Sequence, residues 1–317
     1  MNSRLKDNSG FALILTILVV SLIVSITLQF NATMRSHLYG AANLKDGIQL
    51  ACIARSGFDY ACAVLSGDDP TVDTLHEDWA DQKKLSSNTA TMFEEGRFNV
   101  KIKDQTGKIP VNSVVKGEKY QALLTRFLSL EEFGLDSEDV SNLVDAIKDW
   151  VDPDDEVTKF GAENGYYQSL ENPYACKNAS LDSVEELLLV KGVNAELFYG
   201  TKEKPGISGY LTVYGDGKIN INTADTLVLR ALSDQIDQDM VEGMLAYRED
   251  EKNDLINTSW YKNVPGMSHV SMDGLEATSS AYFEIESEGL KETMKKRVIA
   301  TVMRKTGDFK VLSWKSE

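Results

Sequence analysis

The sequence predicts an α+β fold in which one long N-terminal helix packs on a small antiparallel sheet, with a large, mostly helical insertion between the strands. Three observations carry this expectation. Residues 11–30 form an apolar run without a single charge, and helical spacing of apolar residues then continues as far as Leu65. Strand-like alternation occurs around residues 98–111 and again after residue 282, with about 170 residues of mainly helical patterning between the two. A stretch of that size joining strands of one sheet has to fold as a unit of its own.

The apolar run, FALILTILVVSLIVSITLQF, spans about 30 Å as a helix, the thickness of a bilayer's hydrocarbon core. Arg4 and Lys6 precede it, offset only by Asp7, so the positive-inside rule keeps the N-terminus in the cytoplasm and sends the rest of the chain across. A cleaved secretory signal has a shorter apolar core and a small-residue cleavage site, and neither is present. A plain signal anchor fits the span alone. The short polar leader ending in Ser9-Gly10, followed at once by Phe11, resembles a class III prepilin leader, which implies cleavage after Gly10 and N-methylation of Phe11. Most pilins carry a glutamate at the fifth mature position, whereas this chain has Leu15 there. An unpaired carboxylate in lipid is costly, so its absence suggests a subunit with no neighbour needing it, at the end of a filament.

Leu44, Ile48, Ala51, Phe58, Ala61 and Leu65 continue the helix as an amphipathic segment, which should end at Gly67-Asp68-Asp69-Pro70. Cys52 and Cys62 are about 15 Å apart along such a helix, too far for a disulfide. Pairing of one of them with Cys176 and burial of both as small core residues are both open. Phe98, Val100 and Ile102 alternate, and Asp104-Gln105-Thr106-Gly107 predicts a hairpin into Ile109 and Val111. In the insertion, helices are expected over Glu118–Phe133, Ser137–Trp150, Ser183–Val190, Thr223–Leu232 and Gln238–Glu249, with a short hairpin over Tyr210–Ile221. Strands around Tyr282–Glu286, Val298–Val302 and Val311–Trp314 predict a closing meander. The expected organisation is therefore leader 1–10, membrane-spanning helix 11–30, first part of the sheet domain 31–112, insertion 113–278 and closing strands 279–317.

The chain has 49 acids and 33 bases, a net charge of -16, which argues against nucleic-acid binding through a basic surface. Most of the excess is local: residues 131–190 hold sixteen acids and three lysines. Its centre is Asp149-Trp-Val-Asp152-Pro-Asp154-Asp155-Glu156, with Glu163 and Asn164 beyond. Against the EF-hand pattern, Asp152 stands first, Asp154 third, Glu156 fifth and Glu163 twelfth, but Val157 replaces the sixth-position glycine. Oxygen-only donors favour calcium over zinc. The candidate ligands are Asp152, Asp154, Asp155, Glu156, Glu163 and Asn164, with Asp149 and Asn178 as further candidates; a solvated acidic loop is the plainer alternative. Asp149 at a helix C-terminus opposes the helix dipole, so its presence there has some other reason.

Several long strings occur in order: DWVDPDDE (149–156), GAENGYY (161–167), EELLLVKGV (185–193), YLTVYGDGKININTA (210–224) and the closing VLSWKSE. With these the chain resembles the minor pseudopilin K family of bacterial type II secretion systems, over nearly its whole length, and the missing glutamate at Leu15 is a habit of that family. The resemblance implies a pilin-like fold, calcium bound in the helical insertion, processing by a prepilin peptidase, and an inner-membrane anchor with the globular part in the periplasm. It also implies a place at the pseudopilus tip, capping the filament with the minor pseudopilins I and J in support of protein export. A minor pilin of a type IV pilus is the related alternative. GKININTADTLVLRAL with the NVPGM segment, and Val190-Lys191-Gly192-Val193, resemble helix-hairpin-helix elements of DNA-uptake proteins. One lysine at most per hairpin, among acids, suits helix packing better than phosphate. His37, His76 and His269 are scattered, and no nucleophile elbow, P-loop or HExxH is present. Catalysis is not expected.

Overall fold

The computed structural model describes residues 9–87, 89–305 and 308–317; the leader charges Arg4, Lys6 and Asp7 lie outside the described residues. Helix α1 runs unbroken from Ser9 to Ser66, about 87 Å. Residues 10–45 are exposed throughout, and an 18-residue window there has a mean hydropathy of 2.8, long and apolar enough to cross a membrane. Burial begins at Leu50 and continues through Ile53, Ala54, Phe58, Ala61 and Leu65, a single stripe at helical spacing. Among the described residues no buried apolar side chain precedes Leu50. The cores are therefore complete without the apolar half of α1, and a fragment beginning at Lys45 retains them.

After α1 come a short helix α2 (Gln82–Ser86), N-capped by Asp81, and strand β1 (Arg97–Asp104). Strand β2 is only Ile109–Pro110. Helices α3 (Glu118–Leu128) and α4 (Ser137–Val151) follow, then the short α5 (Asn164–Tyr167) and α6 (Ala195–Tyr199). Two-residue strands β3 (Leu211–Thr212) and β4 (Ile219–Asn220) precede α7 (Thr226–Ala231) and α8 (Gln238–Glu249). The chain closes with β5 (Glu276–Ala277), β6 (Tyr282–Lys291), β7 (Met294–Lys305) and β8 (Asp308–Ser316). Glu118–Phe133 is shorter than expected, Thr223–Leu232 begins three residues late behind its Asp225 cap, and Ser183–Val190 is 3-10 rather than α.

The main sheet has the order β1-β6-β7-β8 and is antiparallel at each junction, so the closing meander is as expected. The two short hairpins are not. β1 pairs with β6, 180 residues downstream, while β2 pairs in parallel with β3 and β4 in parallel with β5. The expected partners on either side of each turn are thus taken by strands far away in sequence.

α1 lies against this sheet at very short range. A Cβ at Gly57 would overlap the Ser287 hydroxyl, and one at Gly289 the Leu50 carbonyl; glycine is what lets helix and strand backbones approach. Phe98, Val100, Ile102, Phe283, Ile285, Ala300 and Val302 complete the core on α1. A second and larger core, from Ile109 to Leu275, belongs to the inserted segment and includes Phe127, Trp150, Tyr167, Phe198 and Trp260. Helix is its main regular structure, although only α3, α4 and α8 exceed ten residues. Cys52, Cys62 and Cys176 are free. Cys62 packs on the first core and Cys176 lies in the second, so neither pairing with Cys176 is formed. Of the two open readings, burial as a core residue holds in part for Cys62, which is half-buried, and not for Cys52, which is exposed.

The insert sits at the end of α1 remote from the apolar run. β6 ends at Lys291, whose ammonium meets Asp46 of α1 at 2.8 Å, and β6 begins beside Gln105, whose N–H donates to Tyr282 O at 2.9 Å. The chain leaves the sheet after Asp104 and returns before Tyr282, both at this far end. A buried polar clasp joins the two cores there. Asp104 Oδ2 accepts from Ser280 Oγ and Thr223 Oγ1, both at 2.5 Å. Asp73 Oδ2 accepts from Ser280 N at 2.6 Å and Arg304 Nη2 at 2.5 Å. Asn220 Nδ2 donates to Ser280 Oγ at 2.7 Å and Asp73 O at 3.0 Å, and Arg304 Nη1 reaches Asp68 at 3.3 Å.

Candidate metal centre in the acidic loop

Helix α4 delivers the first carboxylate. Asp136 caps its start, accepting from Glu138 N at 2.9 Å and Asp139 N at 2.8 Å, and Val140, Leu143, Val144, Ile147 and Val151 bury one face. The helix stops at Asp152, whose N–H still donates to Lys148 O at 2.9 Å. Asp149, in the last turn and fully buried, holds the following loop back on the helix. Its carboxylate accepts from Thr158 N at 3.2 Å and from the Thr158 hydroxyl. That explains an acid at a helix C-terminus, and it leaves Asp149 occupied.

The returning chain brings up the second side. Glu163 precedes α5 and is 2% exposed. Asn164 Nδ2 donates to Asp155 Oδ1 at 2.9 Å, and Asn164 Oδ1 accepts from Cys176 N at 2.9 Å. Asn178, in the left-handed region at φ 46°, donates its amide to the Asp154 carbonyl. A non-glycine residue there is uncommon, and asparagine is among those that tolerate it.

Asp152, Asp154 and Glu163 are brought together, each offering an oxygen within 4.8 Å of the others. Asp155 and Asn164 bond to each other beside the cluster, and Glu156 is exposed, its N–H donating to Asp154 Oδ1 at 2.9 Å. Of the six sequence-predicted ligands, three therefore converge, two brace the loop, and Glu156 stands outside the group.

Asp152 Oδ1, both carboxylate oxygens of Glu163 and Asn178 Oδ1 are, among the described residues, buried without a donor in hydrogen-bond geometry; the Cys176 thiol lies close to Glu163 but is directed to the Asp149 carbonyl at 3.7 Å. Among the described residues no lysine or arginine forms an ion pair with Asp152, Asp154 or Glu163, the nearby Lys177 being taken by Asp182 and Glu186. Burial, reinforced by Asp154 and Asp149, pushes the Asp152 carboxyl up to about 6. Burial and the neighbouring Asp149, Asp152 and Asp155 charges push Glu163 up to about 7. Buried charges without a counter-charge cost several kcal/mol each. The converging carboxylates of Asp152, Asp154 and Glu163, all hard donors, form a set that can hold a hard divalent cation and offers nothing to a soft one.

The two hairpins with a helix-hairpin-helix look are packing elements here. Gly192 and Gly266 adopt φ 88° and 84°, and the nearest atoms are side-chain carbons of Leu143 and Met240. Lys191 Nζ donates inward to the carbonyls of Phe160 and Gly161 at 3.2 and 3.1 Å.

Residues 96–201 match the family model of type II secretion system protein K. A type II secretion system protein K of Aeromonas hydrophila is 28% identical over 209 residues, 61% of each chain, so this chain's match spans less than two thirds of that relative's length. The Pseudomonas aeruginosa protein K is 26% identical over 325 residues, covering 97% of this chain and 92% of that one. Among solved structures, the crystal structure of the GspK-GspI-GspJ complex from enterotoxigenic Escherichia coli contains a chain similar to this one. Their TM-score is 0.72 at 17% identity, over 87% of this chain and 99% of that one. At that identity the likeness establishes a shared fold.

Proposed function

We propose that this chain, a member of the type II secretion system protein K family, is a minor pseudopilin that caps the tip of the secretion pseudopilus. One observation carries the capping role. The insert is joined to the end of α1 remote from the apolar segment, so in a filament whose core is made of such helices it would occupy the space where a further subunit would stack. Leu15 in place of a glutamate agrees with a subunit that has no neighbour on that side. Minor pseudopilins I and J are the proposed neighbours, in keeping with the composition of the similar complex. Before assembly α1 anchors the chain in the inner membrane as a single span, with the sheet and insert in the periplasm. Prepilin peptidase would cut after Gly10.

Mass spectrometry of the mature protein tests the reading. An N-terminus at methylated Phe11 is expected; an intact Met1, or cleavage beyond residue 30, would contradict it.

Calcium is the proposed occupant of the acidic loop. Asp152, Asp154, Glu163 and the Asn178 amide oxygen would hold it, with Asp149, Asp155 and Asn164 holding the loop in shape. Its charge would supply what this chain's own bases do not, and would tie the end of α4 to the start of α5. The insert would then present a fixed surface at the tip.

A further inference from the structure

The two flanks of the sheet differ in how they meet α1. On the β1 flank this chain closes the gap itself. The Ser86 hydroxyl of α2 accepts from Val100 N at 3.1 Å and donates to Val100 O at 3.4 Å, and the Thr89 hydroxyl donates to Phe98 O at 2.8 Å. The rings of Phe93 and of Tyr60 in α1 both pack on Phe98, at 6.0 and 5.7 Å between centroids. Gln49 of α1 donates its amide to Glu95 O at 3.3 Å. Strand edge and helix flank are thus covered together, as exposed edges usually are.

On the β8 flank, among the described residues, there is no such cover. β8 pairs only with β7. Trp314 and Val311 stand opposite Ala300 and Val302 in the register, so they share the sheet face that packs on α1, and both are 45% exposed. The Trp314 ring meets Phe58 of α1 edge-on, 5.0 Å between centroids, which fixes the face of the helix that looks towards β8. Stepping back from Phe58 by three and four, that face carries Arg55, Ala51, Ile48 and Leu44, of which Ile48 and Leu44 are exposed. The same steps continue through Ala41, His37 and Met34 to Phe30, inside the apolar run. A mainly apolar seam at this spacing is what one helix offers another. An added strand suits the flank less well, because Lys310 and Lys315 stand on the outer face of β8 and edge lysines discourage strand addition.

We propose that the neighbouring subunit docks on the β8 flank and not on the β1 flank, laying the periplasmic part of its own N-terminal helix between α1 and β8, over Ile48, Val311 and Trp314. This rests on the pseudopilin reading above and adds to it the side of the molecule that the neighbour takes. The seam is continuous with the apolar segment that a filament would bury, so one neighbouring helix can cover both.

The full chain is co-expressed with minor pseudopilins I and J and captured from detergent-solubilised membranes. Val311→Glu and Trp314→Ala should each lower the amount of I and J captured by at least about ten-fold, the effect of losing one apolar anchor. Met92→Glu, an exposed site on the β1 flank, should leave it within about two-fold. Melts of the same variants in the 45–317 fragment show whether each is folded. Photo-crosslinking from p-benzoylphenylalanine placed at position 48 or 311 needs neither substitution, and should join this chain to the N-terminal helix of I or J. Undiminished capture by folded Val311→Glu and Trp314→Ala, loss of capture with folded Met92→Glu, or no crosslink from either position would overturn the proposal. So would a crosslink to a strand, to a second copy of this chain or to a secreted protein. Absence of I and J from the capture of the unsubstituted chain would instead contradict the pseudopilin reading itself.

Discussion

Two acidic clusters in this molecule look alike by composition and differ in what neutralises them. Asp68, Asp73 and Glu77 gather at the seam between the two cores, as Asp152, Asp154 and Glu163 gather in the loop after α4. At the seam, the Arg304 guanidinium meets Asp73 and Asp68, and Glu77 accepts from Thr74 and Trp79. In the loop, among the described residues, no base forms an ion pair with the three carboxylates, Lys148 acting on Asp152 only at longer range, and four buried oxygens have no donor. Counting carboxylates does not distinguish a structural clasp from a cation site; asking where each oxygen finds its positive partner does.

The largest effect should come from breaking the matched cluster. Arg304→Met leaves Asp73, which is fully buried, without its counter-charge, and removing one partner of a buried ion pair costs about 3–5 kcal/mol. Chemical unfolding of the 45–317 fragment should show that loss, and calcium should not restore it. A variant as stable as the parent would mean that the clasp contributes nothing to joining the cores.

The unmatched cluster should respond with the opposite sign. Glu163→Gln removes a buried charge, so the cation-free fragment should gain about 1 kcal/mol, while its stabilisation by calcium falls sharply. A loss of stability in the absence of cation would show that Glu163 is satisfied by the protein itself.

A smaller effect is the pH dependence of the cation-free fragment. Glu163 and Asp152 are raised to about 7 and about 6, above the ordinary carboxylate range, so the folded state binds more protons than the unfolded state between roughly pH 4 and 7. Stability should therefore rise as pH is lowered from 8 towards 5. Asp73, raised to about 7 by burial, adds a contribution of the same sign, so Asp152→Asn with Glu163→Gln should reduce the rise rather than abolish it. Thermal melts across that range read the difference. With calcium present the trend should reverse, because protons compete for the same oxygens.

How much of this was legible in the sequence depended on how local the determining interaction is. α4 and α8 are bounded by their own caps, Asp136 and Asp237, and were readable from spacing. The β6-β7-β8 meander joins neighbours in sequence and was equally plain. β1 was recognisable as a strand but its partner was not, since β6 lies 180 residues away and nothing near residue 104 announces it. β2 to β5 are two residues each, too short to show a period. In the acidic loop the residue types and their spacing pointed to Asp152, Asp154 and Glu163. That Glu156 stands outside them follows from a turn in which its N–H bonds Asp154, and that Asp149 is occupied follows from Thr158. Those are contacts no spacing rule contains. The clasp of Asp73, Asp104, Asn220, Ser280 and Arg304 left no trace in the sequence, because its members come from five separate segments.

Calcium titration of the EDTA-treated 45–317 fragment, by calorimetry and thermal melt, tests the difference between the two clusters most directly. Binding in the micromolar range should raise the melting temperature by about 5–10 °C at about 1 mM calcium, with both signals lost in the Asp152→Asn, Glu163→Gln double variant. No heat of binding and an unchanged melt in the unsubstituted fragment would show that the loop, like the clasp, is complete without a cation.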